Sequence, residues 1–297
     1  MKIIFQSIVN TYSIKKIVFC FSISIAIPVL SISQTSSVAM ELALKYFERN
    51  NFEEAINVCE RIIFFEEHNN VMAAAYLLKG NAQMRQNKFE EARSSFVKVN
   101  QFLPLPDSMA IEGEFGKILC NIMCNDPHFA MVNILDMKYE LTEYFQKKKK
   151  FFSAVVNFKI KNYAASEKEF MEILGNADTV LVREIFKEII LAEKKIKPKT
   201  AKILSMILPG SGQLYIGDFK NAAKSFLLTG AILGAAIHLG LAYTILDAYL
   251  FTANWFFRYY RGGFLKAELL AEKKLKGVVD SKFNHLIDLT GNFVFSH

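Results

Sequence analysis

The sequence predicts an all-α protein, a helical solenoid followed by a small membrane helical hairpin. Three observations predict it. Phe is abundant (27 residues) and Pro rare (6), and no stretch sustains the alternation of a half-buried strand. A helix–turn–helix unit recurs at steps of 34 to 40 residues between residues 38 and 190. Between Lys224 and Asp247 lie 22 residues with no formal charge apart from His238, long enough to span hydrocarbon.

Apolar residues make up 52% of the 297, and charged residues 22%, so the chain can bury a large core. The net charge is +7. Lys2, Lys15 and Lys16 lie in the first 33 residues, which hold no acid, and removing that segment leaves +4. That excess is too small to argue for nucleic acid. The basic residues gather at 147–150, at 194–202 and beyond Arg258, where clusters beside an apolar run suit lipid headgroups.

Residues 1–33 have the form of a secretory signal peptide. Basic residues precede the uncharged run "IVFCFSISIAIPVL", and Ser31 and Ser33 supply the small positions for cleavage near Gln34. An uncleaved anchor or a buried N-terminal helix is the competing reading. Export would put residues 38–190 outside the cytoplasm. Cys59, Cys120 and Cys124 read as small helix-packing hydrophobes. No His stands at zinc-site spacing from them, and Cys120 and Cys124 are one helical turn apart, too far for a disulfide within a regular helix.

The repeat region spans 38–196. Aligning "RNNFEEAINVCERI" with "RQNKFEEARSSFVKV" on Phe52 and Phe89 gives a period of 37, and Phe129 and Tyr163 extend the series by 40 and 34. In the second unit Gly80 and Ala92 are the small residues at a helix crossing, Phe96 and Val99 the core, and Pro104 the end. The first unit matches through Ala43, Tyr46, Phe52, Ala55 and Ile62, and the fourth through Ala154, Tyr163, Ser166, Phe170 and Ile173. The third matches poorly, with Cys120 and Val132 in place of small residues and Asp136 in place of an aromatic, which leaves its register open. These units resemble the tetratricopeptide repeat (TPR). The resemblance implies a TPR-like helical repeat domain that binds a protein partner along a groove, with Tyr46, Tyr76, Asn81, Gln83 and Arg85 as groove candidates. Residues 179–197 then read as an amphipathic closing helix with a Lys-rich last turn.

The stretch "LPGSGQLYIGDF" precedes the uncharged run. No Lys-Ser/Thr follows its glycines, as a P-loop requires, and no third Gly completes a dinucleotide fingerprint. Its residues suit an elbow where the chain enters a membrane. Pro209 ends a short helix, Gly210 and Gly212 reach unusual backbone angles, and Gln213 can satisfy backbone groups freed by the break. Tyr215 can sit at the headgroup level. The segment is similar to small bacterial membrane domains carrying Pro-Gly-x-Gly-Gln-x-Tyr-x-Gly before two hydrophobic helices, here Pro209, Gly210, Gly212, Gln213, Tyr215 and Gly217. Asp218 and Asn221 stand where that pattern has a further Gly. The expected hairpin covers 200–261, splitting near Leu239-Gly240, with close contact at Gly230, Gly234, Ala235 and Ala236. A single span plus an interfacial helix, and a buried soluble helical pair, are the alternatives. Residues 262–297 read as a basic amphipathic tail.

The five His are scattered, and no nucleophile–base pair or metal cluster can be placed. No cofactor is expected. His238 and Asp247 are polar residues of the apolar run and hence functional suspects, although a turn and an interface would also account for them. Basic flanks on both sides of the hairpin favour the cytoplasm, whereas the signal sequence favours a periplasmic repeat domain. The expectation is a non-enzymatic scaffold at the inner membrane of the bacterial cell envelope, in contact with membrane lipid and a protein partner, with the hairpin as a surface for homo-oligomers. The alternative is an accessory subunit of an envelope transport or membrane-insertion system, with Asp247 lining a polar path.

Overall fold

The computed structural model describes residues 36–175 and 179–295, so the signal peptide expected at 1–33 lies outside the described residues. Every element among the described residues is a helix. The chain divides between Glu140 and Leu141 into two compact units. This boundary falls inside the stretch expected as one repeat domain.

The first unit contains α1 (Ser36–Glu48), α2 (Phe52–Phe65), α3 (Asn69–Arg85), α4 (Phe89–Phe102), α5 (Ser108–Met123) and α6 (Pro127–Asp136), each packed on the next. Its helix pairs are joined by one turn used repeatedly. Asn50, Asn87 and Asn125 adopt left-handed φ values of 59°, 61° and 62°. Asn tolerates this region better than most residues. The amide after each Asn donates to the carbonyl five residues back: Asn51 to Tyr46, Lys88 to Gln83 and Asp126 to Asn121, each at 2.9 Å. These bonds satisfy carbonyls that a helix end otherwise leaves orphaned. In the third pair the helix starts at Pro127, capped by Asp126, which accepts from the Phe129 amide at 3.2 Å. Phe129 is half exposed, so the turn rather than this aromatic marks the register.

Packing in this unit depends on missing side chains. Phe96 on α4 is 1% exposed, and a Cβ on Gly80 of α3 or Gly116 of α5 would come within 2.7 or 2.6 Å of its ring. Ala43, Ala55 and Ala92 are fully buried, as expected where helices approach closely. Cys59 and Cys120 are buried and free. Desolvation pushes both thiols up to about 12, so they stay neutral and behave as hydrophobes.

The second unit contains α7 (Glu143–Lys159), α8 (Tyr163–Leu174), α9 (Thr179–Lys195), α10 (Pro198–Ile207), α11 (Ser211–Tyr215), α12 (Phe219–Ala242) and α13 (Ile245–Phe295). The turn recurs between α7 and α8, with Lys161 at φ 64° and the Asn162 amide 2.9 Å from the Asn157 carbonyl. Ser166 is the small crossing residue here, and its hydroxyl donates to the Ala154 carbonyl at 2.8 Å. Phe158, Phe170 and Phe186 form the aromatic core, and Phe283 of α13 stacks on Phe158 at 4.3 Å.

α13 is the spine of this unit. Its 51 residues reach about 77 Å at 1.5 Å per residue. It packs first against α12, then against α10 and α11, and finally against α7, α8 and α9. Residues 262–297, read from sequence as a separate tail, are therefore continuous through Phe295 with the apolar segment before them. Ala267 and Ala271 are buried with Ala201 and Ile216, and Leu286 and Thr290 are also buried.

Candidate membrane interface

The Gly-rich motif folds as a corner between α10 and α12. Leu208 ends α10 in an extended conformation, as suits the residue before Pro209. Gly210 has φ 95°, and a Cβ there would lie 2.5 Å from the Ala222 carbonyl oxygen. Gly212 is tighter still, since its Cβ would fall 1.9 Å from the Ala201 carbonyl oxygen. Its amide donates to Ser205 Oγ at 2.9 Å, and that hydroxyl donates to Gln213 Oε1 at 2.9 Å. Gln213 is fully buried and donates through Nε2 to the Gly263 carbonyl at 2.8 Å. Ser205, not Gln213, thus satisfies the freed backbone amide, and Gln213 ties the corner to α13.

Tyr215 donates its hydroxyl proton to the Lys195 carbonyl and accepts from the Lys197 amide at 3.3 Å, linking the corner to the end of α9. Gly217, at φ 79°, repeats the inter-helix turn of the other pairs, with the Asp218 amide 2.8 Å from the Gln213 carbonyl. "IGDFKNA" is thus the structural counterpart of "RNNFEEA". Asp218 caps α12, accepting from the Asn221 amide at 3.0 Å and from Asn221 Nδ2 at 2.7 Å. Asp218 is therefore the N-cap of α12, and Asn221 is its hydrogen-bond partner.

α12 is long and apolar enough to cross a membrane, and only 6% of its most apolar 18-residue stretch is buried. The chain turns at Tyr243-Thr244 and returns along α12 as α13, later than the expected split near Leu239-Gly240. The two helices approach where a Cβ on Gly240 would be 3.6 Å from Ala248 and one on Gly263 would be 2.8 Å from Ser225 Oγ. Gly230 and Gly234, expected at this contact, have nothing within 4 Å of an added Cβ. Leu227 is 68% exposed, Leu241 84% and Phe251 69%. Burying such a side chain stabilises by about 1.5–3 kcal/mol, and contiguous exposure on this scale marks an interaction surface.

His238 is exposed on the last turns of α12. Asp247 lies in the first turn of α13, where its amide donates to Thr244 Oγ1 at 3.1 Å and its carboxylate accepts from the same hydroxyl at 2.7 Å. This is a capping arrangement. The groove candidates in the first unit do not form one accessible set. Gln83 is buried and accepts from Ser95 Oγ at 2.7 Å, Tyr76 stacks on Phe102, and Tyr46 packs against the α1–α3 core. Asn81 and Arg85 are exposed. Among the described residues no group of three or more His, Cys, Asp and Glu side chains could hold a metal ion.

Sequence reasoning missed Ser205, Gly263, Tyr260 and Lys274. Tyr260 donates to the Met206 carbonyl at 2.6 Å, and Lys274 to the Ile216 carbonyl at 2.6 Å. The Gly262-Gly263 pair inside a helical stretch was the one available signal. Compared with known proteins, the chain matches no family model, no curated protein and no solved structure.

Proposed function

We propose that the chain is a membrane-anchored, non-enzymatic scaffold of the bacterial cell envelope. Its TPR-like helix pairs recruit a protein partner, and α12 with the start of α13 sits in lipid at the inner membrane. The observation that carries this reading is the exposed apolar surface of α12, which no other part of its unit covers. At about 36 Å, its 24 residues exceed the roughly 30 Å of a hydrocarbon core. The repeated left-handed turn supports the TPR-like reading, because it sets one antiparallel geometry for successive pairs. Asp247, which a transport role would need as a polar path, is engaged as a helix cap, and this favours the scaffold. Gly230 and Gly234 face away from α13 and offer a surface for a second copy.

Expression of the full chain in bacteria, followed by alkaline carbonate extraction of membranes, tests the anchor. The expected result is retention in the pellet until detergent is added, and release as a soluble monomer would end the proposal. A compartment-specific reporter fused to His297 then reads the side on which α13 ends.

A further inference from the structure

A pocket of about 400 Å³ lies between α12 and α13 where the apolar hairpin gives way to charge. Lys224 is the last charged residue of α12 before the uncharged run, and Arg258 is the first cation on α13 after it. Both line the pocket with Lys266, and no carboxylate does. Among the described residues none of these three cations is in an ion pair. The nearby acid is Asp218, whose carboxyl is held below its ordinary range by hydrogen bonds from Asn221 and then by Lys266.

Two hydroxyl-bearing residues, Ser225 and Thr229, line the same space. Thr229 is 4% exposed, and its Oγ1 has no hydrogen-bond partner; Ser225 Oγ is likewise buried and unpartnered. Leaving a buried polar atom unpaired is costly, so a ligand that pairs both atoms is favoured. Gln213, at the pocket floor, cannot fill that role, because its amide is committed to Ser205 and Gly263. Three cations and two hydroxyl-bearing side chains lining one space match a multiply accepting phosphate oxyanion.

The geometry points to a phosphate-ester site at the foot of the hairpin, filled by the headgroup phosphate of an anionic membrane phospholipid. This inference rests on the membrane reading above. The position selects the source: the acyl chains on the glycerol esterified to that phosphate lie along the exposed faces of α12 and α13, whereas free phosphate gains nothing from them.

Full-length protein in an uncharged detergent, titrated in native mass spectrometry with dioleoylphosphatidic acid, dioleoylglycerol and inorganic phosphate, tests it. The expected result is retention of phosphatidic acid at concentrations where the other two are not retained. The Arg258→Gln/Lys266→Gln double variant should weaken that binding by about tenfold or more, and Thr229→Val by a smaller factor, at unchanged helical content. Equal retention of phosphatidic acid by wild type and both variants, or equal retention of dioleoylglycerol, overturns the site. Inorganic phosphate binding as tightly as the lipid overturns the lipid source. If the double variant fails to fold, Thr229→Val decides alone. Carbonate extraction run in parallel separates the failures: loss of the wild type from the pellet removes the membrane reading, whereas retention without phosphate selectivity removes only this inference.

Discussion

Gly212 and Gly230 show how differently two glycines of one segment are constrained. A methyl on Gly212 would overlap the Ala201 carbonyl, so α10 and α11 cannot keep their contact. At Gly230 an added methyl meets nothing within 4 Å, and its backbone is ordinary helix. Gly212→Ala should therefore destabilise the protein by more than about 2 kcal/mol, whereas Gly230→Ala should be neutral or stabilising by up to about 1 kcal/mol. Thermal unfolding of both variants in detergent, followed by circular dichroism, reads the contrast. Equal melting temperatures would show that the corner does not depend on backbone contact. The need for Gly at 210 was legible because positive φ is a property of the local chain. Gly212, expected to reach an unusual backbone angle, is instead helical, and it is needed because the carbonyl that excludes a side chain there belongs to another helix.

At the scale of elements, the left-handed turn is the unit from which the helix pairs are built. It occurs at residues 50, 87, 125, 161 and 217, filled by Asn three times, by Lys once and by Gly once. Lys161 is the strained member, because it has a Cβ but lacks the short polar side chain that eases Asn into this region. Lys161→Gly should stabilise the second unit by about 1 kcal/mol, detectable as a higher urea midpoint at constant slope; a lower midpoint would mean that the Lys161–Glu193 ion pair at 2.8 Å outweighs backbone strain. The aromatic series Phe52, Phe89 and Tyr163 disclosed three of these turns. The third was hidden because Pro127 occupies the first helical position and Phe129 is displaced from it. The turn at Gly217 was hidden by its place inside a motif read for another purpose.

At the scale of the whole molecule, α13 joins the two roles of the second unit. Its first part completes the apolar hairpin, and its last part closes the aromatic core through Phe283 and Leu286. Deleting residues 280–297 should uncover Phe158 and make α7–α9 sensitive to limited proteolysis while the α12 segment stays protected by detergent. Unchanged protease resistance at α7–α9 would show that α13 is not needed there. The sequence by itself determined the helical class, the helix pairs, the corner and the apolar run, because each depends on local periodicity, turn stereochemistry or a contiguous lack of charge. Only the tertiary structure decided that the basic C-terminal residues are one helix with the apolar stretch that follows the Tyr243-Thr244 turn, that Ser205 and Gly263 are the partners of Gly212 and Gln213, and that Lys224, Arg258 and Lys266 share a pocket. Those relations depend on where a long helix lies after it turns back, and no residue near any of them in the chain encodes that distance.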